Sequence, residues 1–106
     1  MRWKSGGFSV QGFEWDEEKA ASNLEKHGID FADVAGMVFG LAYNAQSPRG
    51  GEMRVTSIGP VQGRLITLVW TPRRGAIRII SARRSSQSEE RTYYQAIGSA
   101  AGDRQN

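Results

Sequence analysis

Apolar residues recur with a helical period over the first third of the chain and with a strand period over most of the rest. Between Asp16 and His27, Ala20, Leu24 and His27 fall on one side of a helix. The punctuation agrees: Asp16 stands at the N-cap, Glu17 and Glu18 in the first turn, Lys26 and His27 in the last turn, and Gly28 just beyond it. The stripe is narrow, which predicts a helix lying on a surface. Asp30 then caps a second, more buried helix in which Phe31, Val34, Ala35 and Val38 recur, with Phe39 close to the stripe. Gly40 ends it. The stretch to Gly51, with Asn44, Ser47, Pro48, Arg49 and two glycines, has the content of a loop.

Three β-segments follow: Arg54 to Ile58, Arg64 to Thr71 and Ala76 to Ala82, separated by Gly59 to Gly63 and by Pro72 to Gly75. Such short connections make an antiparallel meander. Ser86 and Glu89 have the spacing of a capping box, predicting a last helix from about Ser86 to Ile97. Near the start, Gly12-Phe13-Glu14-Trp15 alternates and supplies a short edge strand. The expected fold is α+β, in the order β-α-α-β-β-β-α, with helices packed on an antiparallel sheet. Residues 1–11 are expected as a flexible extension, 12–97 as a single domain and 98–106 as a frayed tail.

Composition narrows the function. The chain has 106 residues, no cysteine and one histidine. Thiolate metal sites, cysteine nucleophiles and a two-histidine mechanism are excluded, and a reducing, cytoplasmic setting fits. The N-terminal stretch lacks the apolar core of a signal peptide or membrane span. The net charge of +3 says less than its distribution. Seven acids and two lysines lie between Glu14 and Asp33, whereas Met53 to Ser88 holds seven arginines, no lysine and no acid. Guanidinium presents a planar fork of donors that matches phosphate oxygens, so a phosphate-binding surface competes with a solvated sheet face that uses arginine.

Two stretches carry a family pattern. The first is Phe13-Glu14-Trp15-Asp16, followed by Lys19, Asn23, Lys26-His27-Gly28-Ile29 and Phe31. The second is Arg78-Ile79-Ile80-Ser81-Ala82-Arg83-Arg84, followed by Glu90-Arg91 and Tyr94. Together they resemble the BrnT toxins over roughly Phe13 to Gln95. The resemblance implies a RelE-like fold, a ribonuclease in a type II toxin–antitoxin pair, and a BrnA-like ribbon-helix-helix antitoxin that represses the shared operon, so that operator DNA is met only through the antitoxin in a hetero-oligomer. Gly40 stands where the family usually has an acid, and Pro72-Arg73-Arg74 replaces a more acidic or aromatic turn. These departures bear on loop contacts and substrate preference more than on fold.

RNA is cut without metal when a base draws the proton from a 2′-hydroxyl, cations steady the charge growing on phosphate, and an acid protonates the departing oxygen. The cations are abundant here. Arg78 interrupts an apolar strand and shares a face with Ile80, which suits either a phosphate clamp or a cross-strand salt bridge. Arg83 and Arg84 leave that strand where the next helix starts, so guanidinium and backbone N–H groups can meet one anion. Arg64 opens the central strand. Lys26 and His27 serve either as cations at a helix C-terminus or in charge and proton transfer. The catalytic candidates are therefore Lys26, His27, Arg64, Arg78 and Arg83, with Arg54, Arg73, Arg74 and Arg84 as RNA-binding candidates. The base is left open among Glu14, Glu18 and Glu90, with Tyr93 and Tyr94 also available. Trp15 and Trp70 fit core positions better than base stacking, Glu90 and Arg91 an exposed pair, and Tyr94 the contact between last helix and sheet. No ligand spacing implies a metal, and no cofactor is expected. The competing reading is a non-catalytic module that holds nucleic acid or a partner on its arginine-rich face.

Overall fold

The computed structural model describes residues 7–10 and 12–105, with side chains from Gly12 to Gly98. The rest of the expected N-terminal extension, Met1 to Gly6 and Gln11, and the last residue of the expected tail, Asn106, lie outside the described residues. Strands β1 (Gly7–Val10) and β2 (Phe13–Asp16) precede helix α1 (Glu17–His27), the short α2 (Phe31–Val34) and a 3-10 turn (Ala35–Phe39). Strands β3 (Tyr43–Arg49), β4 (Glu52–Val61), β5 (Arg64–Arg73) and β6 (Ala76–Arg84) follow, then helix α3 (Gln87–Gln105). They form one sheet in the order β1-β2-β6-β5-β4-β3, antiparallel throughout except where β2 runs parallel to β6.

The α+β architecture and the meander are as the pattern predicts, and the differences have local causes. Tyr43–Arg49, expected as loop, pairs with β4 as an edge strand. Its polar content is that of an edge, where Pro48 needs no ladder bond and exposed side chains discourage further pairing. The two glycines are the hairpin turn: Gly50 and Gly51 have φ of 59° and 84°, as Gln62-Gly63 and Arg74-Gly75 also take positive φ in the next two hairpins. Two-residue loops of this hand match the twist of the flanking strands. The second helix gives way to 3-10 geometry after Val34. Gly7–Val10, expected within the extension, is paired strand, and α3 continues through Gln105 across most of the expected tail.

Both predicted caps of α1 form. The Asp16 carboxylate accepts from the N–H of Glu18 at 2.8 Å and of Lys19 at 3.4 Å, and the N–H of Gly28, at φ 69°, donates to the Leu24 carbonyl. The capping box of α3 is reciprocal: Ser86 N–H donates to Glu89 at 2.8 Å and Glu89 N–H to Ser86 Oγ at 3.2 Å.

One face of the sheet makes the core. Phe13, Trp15, Ile66, Leu68, Ile79 and Ala82 meet Ile29, Phe31, Val34, Ala35 and Met37 from the α1–α2 side. Helix α3 lies against the opposite face over β3 and β4, holding Tyr93 buried, with its hydroxyl donating to the Leu41 carbonyl. Tyr93, and not the expected Tyr94, is thus the packing residue; Tyr94 is 61% exposed. Strand β2 covers only the first part of β6. Beyond it the buried Asn23 of α1 closes the edge: its amide donates to the carbonyls of Ala82 (2.8 Å) and Ile29 (3.1 Å) and accepts from Ala82 N–H (3.1 Å).

Candidate functional site

Strict alternation along β6 would send Arg78 and Arg83 to opposite faces, because they stand an odd number of positions apart, with four residues between them. The structure puts them on the same one. Val69 faces Ser81 while Trp70 faces Ile79, so Ile80 is an extra residue, a β-bulge that inverts the alternation midway. Ile79 and Ala82 can then both enter the core, and Arg78 and Arg83 both emerge on the face away from α1 and α2. Along the strand they stand on the order of 15 Å apart.

Arg78 sits beside Glu14, its partner in the parallel β2–β6 register, since Phe13 and Ile77 beside them turn into the core. Arg78 Nη1 donates to Glu14 Oε2 at 3.3 Å, and both side chains are 28% exposed. Among the described residues this one long contact occupies one of five guanidinium donors. Arg78 also lines a cavity of about 150 Å³ with Lys19, Glu52, Arg54, Thr71 and Arg73. Four cations therefore surround one opening, with Glu52 bound to Arg54 Nε at 3.0 Å. Close cations in a partly desolvated recess raise the local concentration of anions, phosphate foremost. Arg54, Arg73 and Arg78 are legible as candidates from the sequence; Lys19 is not, because nothing in its spacing ties α1 to the strand ends.

Arg83 is held differently. Its Nη1 and Nη2 each donate to one Glu89 oxygen at 2.8 Å, a bidentate fork, and Nη1 also reaches the Arg84 carbonyl at 3.3 Å. Glu89 further accepts from Thr67 Oγ1 at 2.9 Å, which is linked to Ser85 Oγ at 2.8 Å. The Arg83 fork holds the Glu89 carboxyl down to about 2; burial opposes it, and the Ser86 N–H and Thr67 hydroxyl assist. The capping-box spacing announced Glu89 as a cap but not as the partner of Arg83. Acids outside the acid-free segment thus neutralise three of its arginines: Glu52 for Arg54, Glu14 for Arg78 and Glu89 for Arg83.

The remaining candidates lie elsewhere. Lys26 and His27 end α1, exposed, and Arg64 lines a recess of about 70 Å³ with Gly28, Asp30, Asp33 and Gln62. Arg84, exposed, is the cross-strand neighbour of Ile66 on the core side of the sheet. These four belong to the α1 side and do not line the Arg78 cavity. Arg74 occupies the tip of the β5–β6 hairpin. Trp15 is core, and Trp70 packs against it with Nε1 donating to Ser57 Oγ. Among the carboxylates named from sequence, Glu18 and Glu90 are exposed on helices and only Glu14 meets a candidate arginine. Among the described residues no three His, Asp or Glu side chains cluster as a metal site, and no helix is long and apolar enough to cross a membrane.

A family model described as a ribonuclease toxin, BrnT, of a type II toxin–antitoxin system matches residues 15–89. No individually curated protein matches the chain.

Proposed function

The chain belongs to the BrnT family of type II toxin–antitoxin ribonuclease toxins, and from that premise we propose that it is a metal-independent endoribonuclease that arrests growth by cleaving RNA on the sheet face that bears Arg78, beside α3. The observation that carries this reading is the cavity in which Lys19, Arg54, Arg73 and Arg78 surround one opening. Phosphate is the anion whose geometry such guanidinium forks fit. Arg78 stabilises the charge that develops during cleavage, because it keeps unoccupied donors next to a carboxylate. Arg54 and Arg73 bind flanking phosphates, and Arg74 extends that path at the hairpin tip. Arg83, forked by Glu89, shapes the far end of the face. Lys26, His27, Arg64 and Arg84 form a second cationic group on the α1 side, where RNA leaving the face, or the ribosome, is met.

An antitoxin partner follows from the family. We take it to be a BrnA-like ribbon-helix-helix protein that covers the arginine-rich face in a hetero-oligomer and alone contacts operator DNA, with both proteins in the cytoplasm. Association should then weaken steeply with salt, since exposed charges are screened within about 10 Å at 0.1 M ionic strength.

The test is incubation of purified protein with RNA in chelator, with mapping of the cut ends, beside induced expression without antitoxin. Cleavage in chelator and arrested growth are expected. Soluble protein that binds RNA but leaves it whole in chelator would instead mark a binding module, or an enzyme that needs a metal if magnesium restores cleavage.

A further inference from the structure

We infer that Glu14 is the general base that takes the 2′-hydroxyl proton, paired with Arg78 as the group that receives the phosphate charge; the inference rests on the ribonuclease reading above. Cleavage by an internal 2′-oxygen requires a carboxylate or other base within hydrogen-bond reach of that hydroxyl and a cation at the adjacent phosphate. Glu14 and Arg78 supply both on neighbouring strands held in register by backbone pairing. Phe13 and Trp15, buried at 5% each, fix the strand from which Glu14 projects. Two groups on packed strands hold their separation better than groups on loops.

The occupancy of the pair suits the role. Glu14 Oε2 accepts one donor from Arg78, and among the described residues Oε1 accepts none. One oxygen is therefore oriented and the other available. Glu52 lines the same cavity as Arg78, but neither it nor Glu89 is hydrogen-bonded to Arg78. Glu52 is tied to Arg54 Nε two residues along its own strand at 3.0 Å, and Glu89 is saturated by the Arg83 fork, Thr67 and Ser86.

In the step itself, a Glu14 oxygen removes the proton of the 2′-hydroxyl and the 2′-oxygen bonds to the adjacent phosphorus. The bond from phosphorus to the 5′-oxygen breaks, and that oxygen takes a proton from water while Glu14 returns its proton to solvent. The products are a 2′,3′-cyclic phosphate and a 5′-hydroxyl, with no net consumption of water.

The experiment compares wild type, Glu14→Gln and Glu14→Asp by single-turnover cleavage in chelator and by affinity for a 2′-O-methyl RNA that cannot react. Glu14→Gln should lose about a hundredfold or more in rate, the span of general-base catalysis, while binding 2′-O-methyl RNA within about threefold of wild type. Glu14→Asp, which keeps a carboxylate on a shorter arm, should recover part of the rate, and it serves as the variant of record if the glutamine form does not fold. Several outcomes overturn the inference: a Glu14→Gln rate within about threefold of wild type, loss of binding in step with loss of rate, or products with 3′-hydroxyl and 5′-phosphate ends. Binding lost in step would make Glu14 a positioning residue for Arg78. Wild-type cleavage only with added magnesium would overturn metal independence instead, and the same comparison run with magnesium would still decide Glu14.

Discussion

Strand β6 carries two arginine–glutamate pairs on one face, and they differ in every respect that matters for chemistry. Arg83 gives both terminal nitrogens to Glu89 at 2.8 Å, and Glu89 also closes the cap of α3. Arg78 gives one nitrogen to Glu14 at 3.3 Å beside a cavity crowded with cations. A saturated fork is a fastener, since neither partner can accept a substrate without breaking short charge-assisted bonds. A pair joined by one long bond keeps donors and an acceptor oxygen in reserve. The same two residue types thus serve the fold at one end of the strand and present reactive groups at the other.

The largest effect is expected at the reactive end. Arg78→Ala should lower cleavage about a hundredfold or more, the usual cost of one preorganised donor, with little change in melting temperature. Arg78→Lys should recover little, because a point charge does not reproduce the fork. Cleavage and melting measured on one preparation check both, and full activity in folded Arg78→Ala would dissolve the contrast. The fastened end should behave in reverse. Glu89→Ala removes cap and fork together and should cost about 1 to 2 kcal/mol, or roughly 5–10 °C of melting temperature, while cleavage per folded molecule stays within about threefold. The solvent exposure of Arg83 keeps the ion-pair share of that cost small.

The fastened end is also open to a test by acid. Glu89 is held at about 2, below its ordinary 4.5. Its contribution to stability is therefore complete above pH 4.5 and fades as pH falls through that value toward 2. Thermal melts between pH 6 and 2.5 should show wild type losing more than Glu89→Gln over the acid range, and parallel curves would exclude the fork as the cause. The smallest effect belongs to the phosphate contacts. Arg54→Ala and Arg73→Ala should each lower the slope of log affinity for single-stranded RNA against log salt by about 0.7, with cleavage at saturation nearly unchanged. A slope unchanged by Arg73→Ala would remove that residue from the binding path.

The parts legible in the sequence are those decided locally. Asp16 and Gly28 bound α1, and Ser86 with Glu89 begins α3, because caps depend on residues three or four apart. Positions decided by sheet partners were not legible. Asn44, Ser47 and Pro48 have the composition of a loop, yet as an edge strand they need satisfy only one neighbour. Tyr93 makes the contact expected of Tyr94, because a helix face is fixed by what lies beneath it. The common face of Arg78 and Arg83 depends on one inserted residue, Ile80, whose bulge leaves no compositional trace. The acids that pair with the arginines come from β2, β4 and α3, so an acid-free run was a poor guide to unpaired charge.

The hydrogen bonds of Asn23 bear on how well the protein withstands heat. Past the end of β2, the outer margin of β6 has no strand neighbour and lies under α1, and the amide of Asn23 fills one step of that margin by bonding both the N–H and the carbonyl of Ala82. A single side chain thereby stands in for a missing neighbour strand. Asn23→Leu would leave both backbone groups of the fully buried Ala82 without a partner, so its first symptom should be a melting temperature lowered by roughly 5–15 °C, the cost of about 1–3 kcal/mol for buried hydrogen bonds left unmade.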